Sequence, residues 1–133
     1  MNPAVSALAA RLPTPATVAR WWVSVTASDA ILGGEWASFA FDPEWGENEH
    51  CATYRSGSGD DASVTFTARG AFLRGFDHEC ALSPWGRDGD QVDARILKGV
   101  PMTLRPLVNE PAVSAGGVPN ITLAVWWPAG ADA

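Results

Sequence analysis

Asp77, His78 and Glu79 stand side by side in the run Arg74-Gly75-Phe76-Asp77-His78-Glu79 and hold the group types that acid–base chemistry needs. A histidine oriented by a carboxylate can take up or release a proton near neutral pH. The run follows the apolar stretch Ala71-Phe72-Leu73. Burying unpartnered charge is costly, so the chain either leaves the core here or pairs its charges. Arg74 paired with Asp77 or Glu79 would make a polar corner with a structural role. A small enzyme with a His/carboxylate site at Asp77-His78-Glu79 is the chemical alternative. No nucleophile motif accompanies it, neither a G-x-S-x-G elbow nor an H-E-x-x-H pair. Cys80 directly follows Glu79, a poor setting for a thiolate nucleophile.

The same residues raise the question of a metal. His78 and Cys80 would share one strand face, and His50 and Cys51 could approach from a neighbouring strand. Adjacent strand residues point to opposite faces, however, and the spacing matches no zinc signature. Asp42, Glu44, Glu47 and Glu49 lack the EF-hand loop pattern, and Gly57-Ser58-Gly59 reads as a turn rather than a phosphate cradle. No metal and no other cofactor is expected.

A third constellation is acidic. From Asp29 to Asp61 the chain carries eight acids and one base, Arg55. Glu35, Asp42, Glu44, Glu47 and Glu49 are interleaved there with Trp36, Phe39, Phe41 and Trp45. Carboxylates beside exposed aromatic rings suit docking onto a basic protein: charge steers the encounter and an aromatic anchors it. The expected partner-binding set is therefore Glu35, Trp36, Asp42, Glu44, Trp45, Glu47 and Glu49. The plainer reading is a solvated acidic loop that keeps the protein soluble.

Bulk composition narrows the partners. The chain has 133 residues and a net charge of −6, from 15 acids against 9 bases, with Lys98 the sole lysine. That balance argues against nucleic acid and against anionic membranes as partners. No run of residues approaches the length of a membrane span. The N-terminal apolar run Ala4 to Ala10 is short, lacks a basic leader and stops at Arg11, so no signal peptide is read and a cytoplasmic location with reduced Cys51 and Cys80 is expected. Tryptophan is abundant, with seven in all, including the adjacent pairs Trp21-Trp22 and Trp126-Trp127. Either pair could serve a homodimer, as in a structural or regulatory subunit.

The elements that would position these groups follow from periodicity and breakers. One α+β domain over residues 1–133 is expected, with 1–13 and 129–133 less ordered. Thr14-Pro15 opens a helix on which Val18, Trp21, Trp22 and Val25 fall at helical spacing. It is expected to run to about Ser28, although Trp22 to Thr26 also suits a strand, and Gly33-Gly34 closes the region. Alternation predicts strands over Glu35–Phe41, Asn48–Arg55, Ser63–Ala68, Ala71–Asp77 and Asn120–Trp127. Asp42-Pro43 and Trp45-Gly46 mark a turn, as do Ser56 to Asp61 and Asp88-Gly89-Asp90. Val92–Leu97 suits a short helix or strand, and Pro101–Val108 a helix interrupted by Pro106. The fold class is thus an N-terminal helix packed on an antiparallel sheet of about five strands, with one further short helix.

Residues Gly70 to Trp85, Gly-Ala-Phe-Leu-Arg-Gly-Phe-Asp-His-Glu-Cys-Ala-Leu-Ser-Pro-Trp, resemble the core of a family of small bacterial proteins of uncharacterised activity. That core reads Gly, two apolar residues, Arg or Lys, Gly-Phe-Asp-His-Glu-Ser, then Ser-Pro and an aromatic. The likeness extends through Gly99-Val100-Pro101, Glu110-Pro111-Ala112 and Ile121 to Trp127, about half the chain. Cys80 stands where the family has serine, and Leu82 where methionine is common. The matching polar corner is Arg74, Asp77, His78 and Glu79. By analogy with small acidic bacterial proteins of this kind, the resemblance implies an immunity protein that neutralises a toxin domain by covering a basic active-site surface.

Overall fold

The computed structural model describes residues 3–86 and 91–130; the expected loop Asp88-Gly89-Asp90 and the end of the tail lie outside the described residues. Alternating side chains build four consecutive antiparallel strands: β1 (Phe39–Gly46), β2 (Glu49–Arg55), β3 (Asp61–Thr67) and β4 (Gly70–Phe76). The chain then makes a long excursion through a small hairpin, β5 (Ser114–Ala115) and β6 (Val118–Pro119). It returns as β7 (Leu123–Pro128), which pairs antiparallel with β4 to give the sheet order β1-β2-β3-β4-β7. The fold is α+β, with helix α2 (Pro15–Gly33) packed on this sheet and the short α1 (Pro3–Ala9) lying against β7.

Register sorts the side chains into two layers. Phe41, Ala52, Val64, Leu73 and Trp127 face α2 and pack with its Val18 and Trp22. On the other face Phe72 and Ala124 meet Val100, Leu104, Leu107, Val108 and Ile121 from the excursion, which supplies an irregular cover instead of a second helix. Trp126 and Trp127 therefore serve opposite layers, as adjacent strand residues must.

Several elements depart from the expected bounds. Helix α2 continues to Gly33, well past Ser28. Thr14 caps its start, accepting a hydrogen bond from Thr17 N at 3.3 Å. Trp22 ties its middle to the sheet by donating from Nε1 to the Thr53 carbonyl at 3.2 Å and meeting Phe39 edge-on. Glu35 and Trp36 belong to a 3-10 turn, Gly34–Trp36, not to a strand. Conversely, Asp42-Pro43 and Trp45-Gly46 lie within β1, whose pairing with β2 shifts between Asp42 and Gly46. Proline is tolerated there because β1 is the outer strand and the register is irregular. Val92–Leu97 forms turns and neither helix nor strand, while the further short helix is a 3-10 segment, Arg105–Asn109, with Pro106 in its first turn. The closing strand β7 sits at the sheet's edge, half-buried under α1.

Candidate functional site

The run from Arg74 to Glu79 turns out to be a connector in which each side chain ties the sheet to a different neighbour. Arg74 is fully buried on the excursion face and donates from Nη2 to the Leu107 carbonyl. Its guanidinium lies 5.9 Å from the Phe72 ring centre. Its Nε and Nη1 have no hydrogen-bond partner, and burial lowers its pKa. The expected ion pair with Asp77 or Glu79 is not formed among the described residues: Arg74 points inward from β4, whereas those two carboxylates are exposed on the turn beyond it. Asp77 instead accepts the Glu79 N–H at 2.9 Å, and its own N–H donates to Thr122 Oγ1 at 3.0 Å. The Leu82 N–H donates to Cys80 Sγ at 3.4 Å, a turn contact that a serine hydroxyl could also make.

His78 engages Asp60 twice. Its backbone N–H donates to Asp60 Oδ1 at 3.0 Å, and its Nδ1 lies 2.7 Å from the same oxygen. The hydrogen bond to Asp60 raises the His78 pKa, and the same bond lowers that of Asp60. The imidazole sits against Gly59, where φ is +109° and a Cβ would come within 3.2 Å of the ring. The pair thus latches the β2–β3 loop to the turn after β4. Asp60, Asp77 and His78 bring one ligand atom each within 4.8 Å of one another, but those atoms already hold the latch and the turn. The ring is 45% exposed on open surface, and the clefts described below do not include it.

The four residues considered for zinc are not brought together. His50 stacks on Phe41 on the α2 face, and Cys51 is buried on the other. His50 lies near the start of β2 and His78 beyond its far end, a separation of about 17 Å by strand rise alone.

The acidic set divides into two groups. Glu35 and Trp36 lie where α2 hands over to β1, with Trp36 83% exposed. Asp42, Glu44, Trp45, Glu47 and Glu49 gather toward the β1–β2 turn, about 17 Å along the strand from Phe39 to Glu44. Within the second group, Asp42 accepts the Glu44 N–H at 2.8 Å, and Glu49 pairs with Arg69 at 3.2 Å. Glu44 and Glu47 are exposed and have no side-chain partner among the described residues. Trp45 is half-buried beside them, while Phe39 and Phe41 turn inward beneath α2.

Sequence reasoning missed two anchors. Asp29, one turn before the end of α2, accepts the Ser38 and Phe39 N–H groups at 2.6 and 2.9 Å and so fixes the start of β1. A carboxylate near a helix C-terminus opposes the dipole, which was the available signal. Asp60, hidden in a Gly-Ser turn, gave no local sign of its distant histidine.

Elsewhere, Arg95, Lys98 and Arg105 rim a broad cleft of about 770 Å³ floored by Val92, Leu97, Val100 and Val108. Arg95 is held there by the buried Asp93 through contacts of 2.9 and 2.7 Å. A smaller cleft of about 220 Å³ lies between the ends of β2 and β3 and the β5–β6 hairpin. Asp61 lines it, with burial raising its pKa. No helix among the described residues is long and apolar enough to cross a membrane. Comparison with protein-family models, curated proteins and solved structures finds no match.

Proposed function

We propose that this chain is a cytoplasmic binding protein that docks a basic protein surface along the outer end of β1, most concretely an immunity protein that covers the active-site cleft of a cognate toxin domain. The carrying observation is the cluster at the β1–β2 turn. Glu44 and Glu47 are exposed with no side-chain partner among the described residues, Asp42 and Trp45 flank them, and β1 is one of the sheet's two edge strands. An unpaired strand edge offers backbone groups to a partner, and carboxylates around it favour a cationic one. A cleft that processes nucleic acid must itself be basic to hold phosphate, so it is the complementary surface.

Capture from the native host, followed by identification of the bound protein, tests the reading. The expected result is a cationic toxin domain whose complex weakens at least tenfold when salt rises to about 0.5 M. Glu44→Lys with Glu47→Lys should weaken the complex by a similar factor without changing the melting temperature. A demonstrated complex indifferent to both changes would overturn the assignment.

A further inference from the structure

The excursion between β4 and β5 reverses the charge balance of the chain. Fifteen acids face nine bases overall. The described residues lining the broad cleft on the excursion nevertheless include Arg95, Lys98 and Arg105 and no acid. The cleft holds about 770 Å³, within the range of about 300–1,000 Å³ typical of small-molecule sites. Its floor is aliphatic. Val92 and Leu97 are half-buried, and Val100 and Val108 belong to the buried layer over Phe72.

One of the cations is built in place. The Asp93 side chain is only 5% exposed, whereas that of Arg95 is 76% exposed. Asp93 accepts the Arg95 backbone N–H at 2.9 Å, Nε at 2.9 Å and Nη2 at 2.7 Å. That grip fixes one edge of the guanidinium and leaves the Nη1 hydrogens for another acceptor. A buried carboxylate thus orders a cation at the surface, and an ordered side chain has less freedom left to lose on binding. Arg105 stands exposed on the same rim.

We propose that this cleft binds an amphiphilic anion, a carboxylate or phosphate head on an aliphatic body. The head meets Arg95 and Arg105, because guanidinium groups donate paired hydrogen bonds to oxyanions. The body lies on Val92 and Leu97. A cationic ligand would meet like charges on the rim. A nucleobase would find no ring to stack on, since the lining has none. A bare oxyanion would leave the aliphatic floor in water. The site does not depend on the docking role proposed for β1.

Isothermal titration of the full chain with octanoate, octyl phosphate, 1-octanol and acetate, each below its micelle threshold, tests the proposal. Octanoate or octyl phosphate should bind with a dissociation constant of about 100 µM, the tighter of the two naming the head group. Acetate and 1-octanol should each bind at least tenfold more weakly, because each lacks one half of the ligand. Arg95→Gln and Arg105→Gln, both at exposed positions, should each weaken the better probe at least fivefold, with circular dichroism melts confirming that the variants fold. Failure of both octyl anions to bind at about 2 mM, 1-octanol binding as tightly as they do, or variants that bind like the wild type would each overturn the proposal.

Discussion

Arg74 brings a guanidinium into an apolar layer that offers it one backbone acceptor and an aromatic face, leaving two of its nitrogens unpartnered. Such a charge is expensive, and its long stem also fills space beside Phe72 and Leu107. Arg74→Met keeps the volume and removes the charge, so its stability in urea should fall within about 1 kcal/mol of wild type or exceed it. Arg74→Ala should lose about 3 kcal/mol, because it leaves a cavity that methionine would fill. The His78–Asp60 latch makes a prediction about pH. His78 has its pKa raised from 6.5, so its contribution is complete below that value and fades as pH rises through the folded value. Asp60 is lowered from 3.8, so its contribution is present above that value and disappears as pH falls through the folded one. The melting-temperature gap between wild type and His78→Ala should therefore be widest between pH 3.8 and 6.5 and shrink as pH rises beyond 6.5. A gap independent of pH would mean that the ring acts by packing on Gly59 alone.

The β3–β4 turn shows how one residue can decide whether two strand pairings coexist. Gly70 adopts φ +128°, and a Cβ there would stand 2.1 Å from the Trp127 carbonyl oxygen, which belongs to the backbone of β7 and cannot swing away. Gly70→Ala should cost about 2–4 kcal/mol in urea unfolding, with β7 detaching first by hydrogen exchange. The contact of this glycine with β7 was not legible in the sequence. Alternation revealed β2, β3 and β4 because each has one face on the α2 layer and the other on the excursion layer. The later half of α2 was ambiguous because Val23, Val25 and Thr26 suit a strand as well as a helix. Tertiary anchors, Trp22 on Thr53 and Asp29 on Ser38, favour the helix. Pro43 masked the continuation of β1, since a proline ends a central strand but not an outer one. The acidic set was visible as composition. Its division into two groups was not, because that depends on where β1 begins.

Across the whole molecule, charge is segregated. Unpartnered carboxylates collect at the β1–β2 turn, whereas Arg95, Lys98 and Arg105 surround the cleft of the excursion on the sheet's other face. A protein with net charge −6 thus presents a directional field, of the kind the proposed docking onto a cationic surface would use. The polar run that drew attention first in the sequence serves cohesion, joining sheet, loop and excursion, while the docking surface proposed for this chain lies on β1. The sheet order has a temporal consequence as well. On the ribosome, β1 to β4 emerge long before β7, and β4 must wait for the excursion and its return. During that interval β4 presents bare amide and carbonyl groups to the crowded cell. The nascent chain is then most vulnerable to sticking to its siblings, and a chaperone that shields that strand would govern yield more than any property of the finished protein.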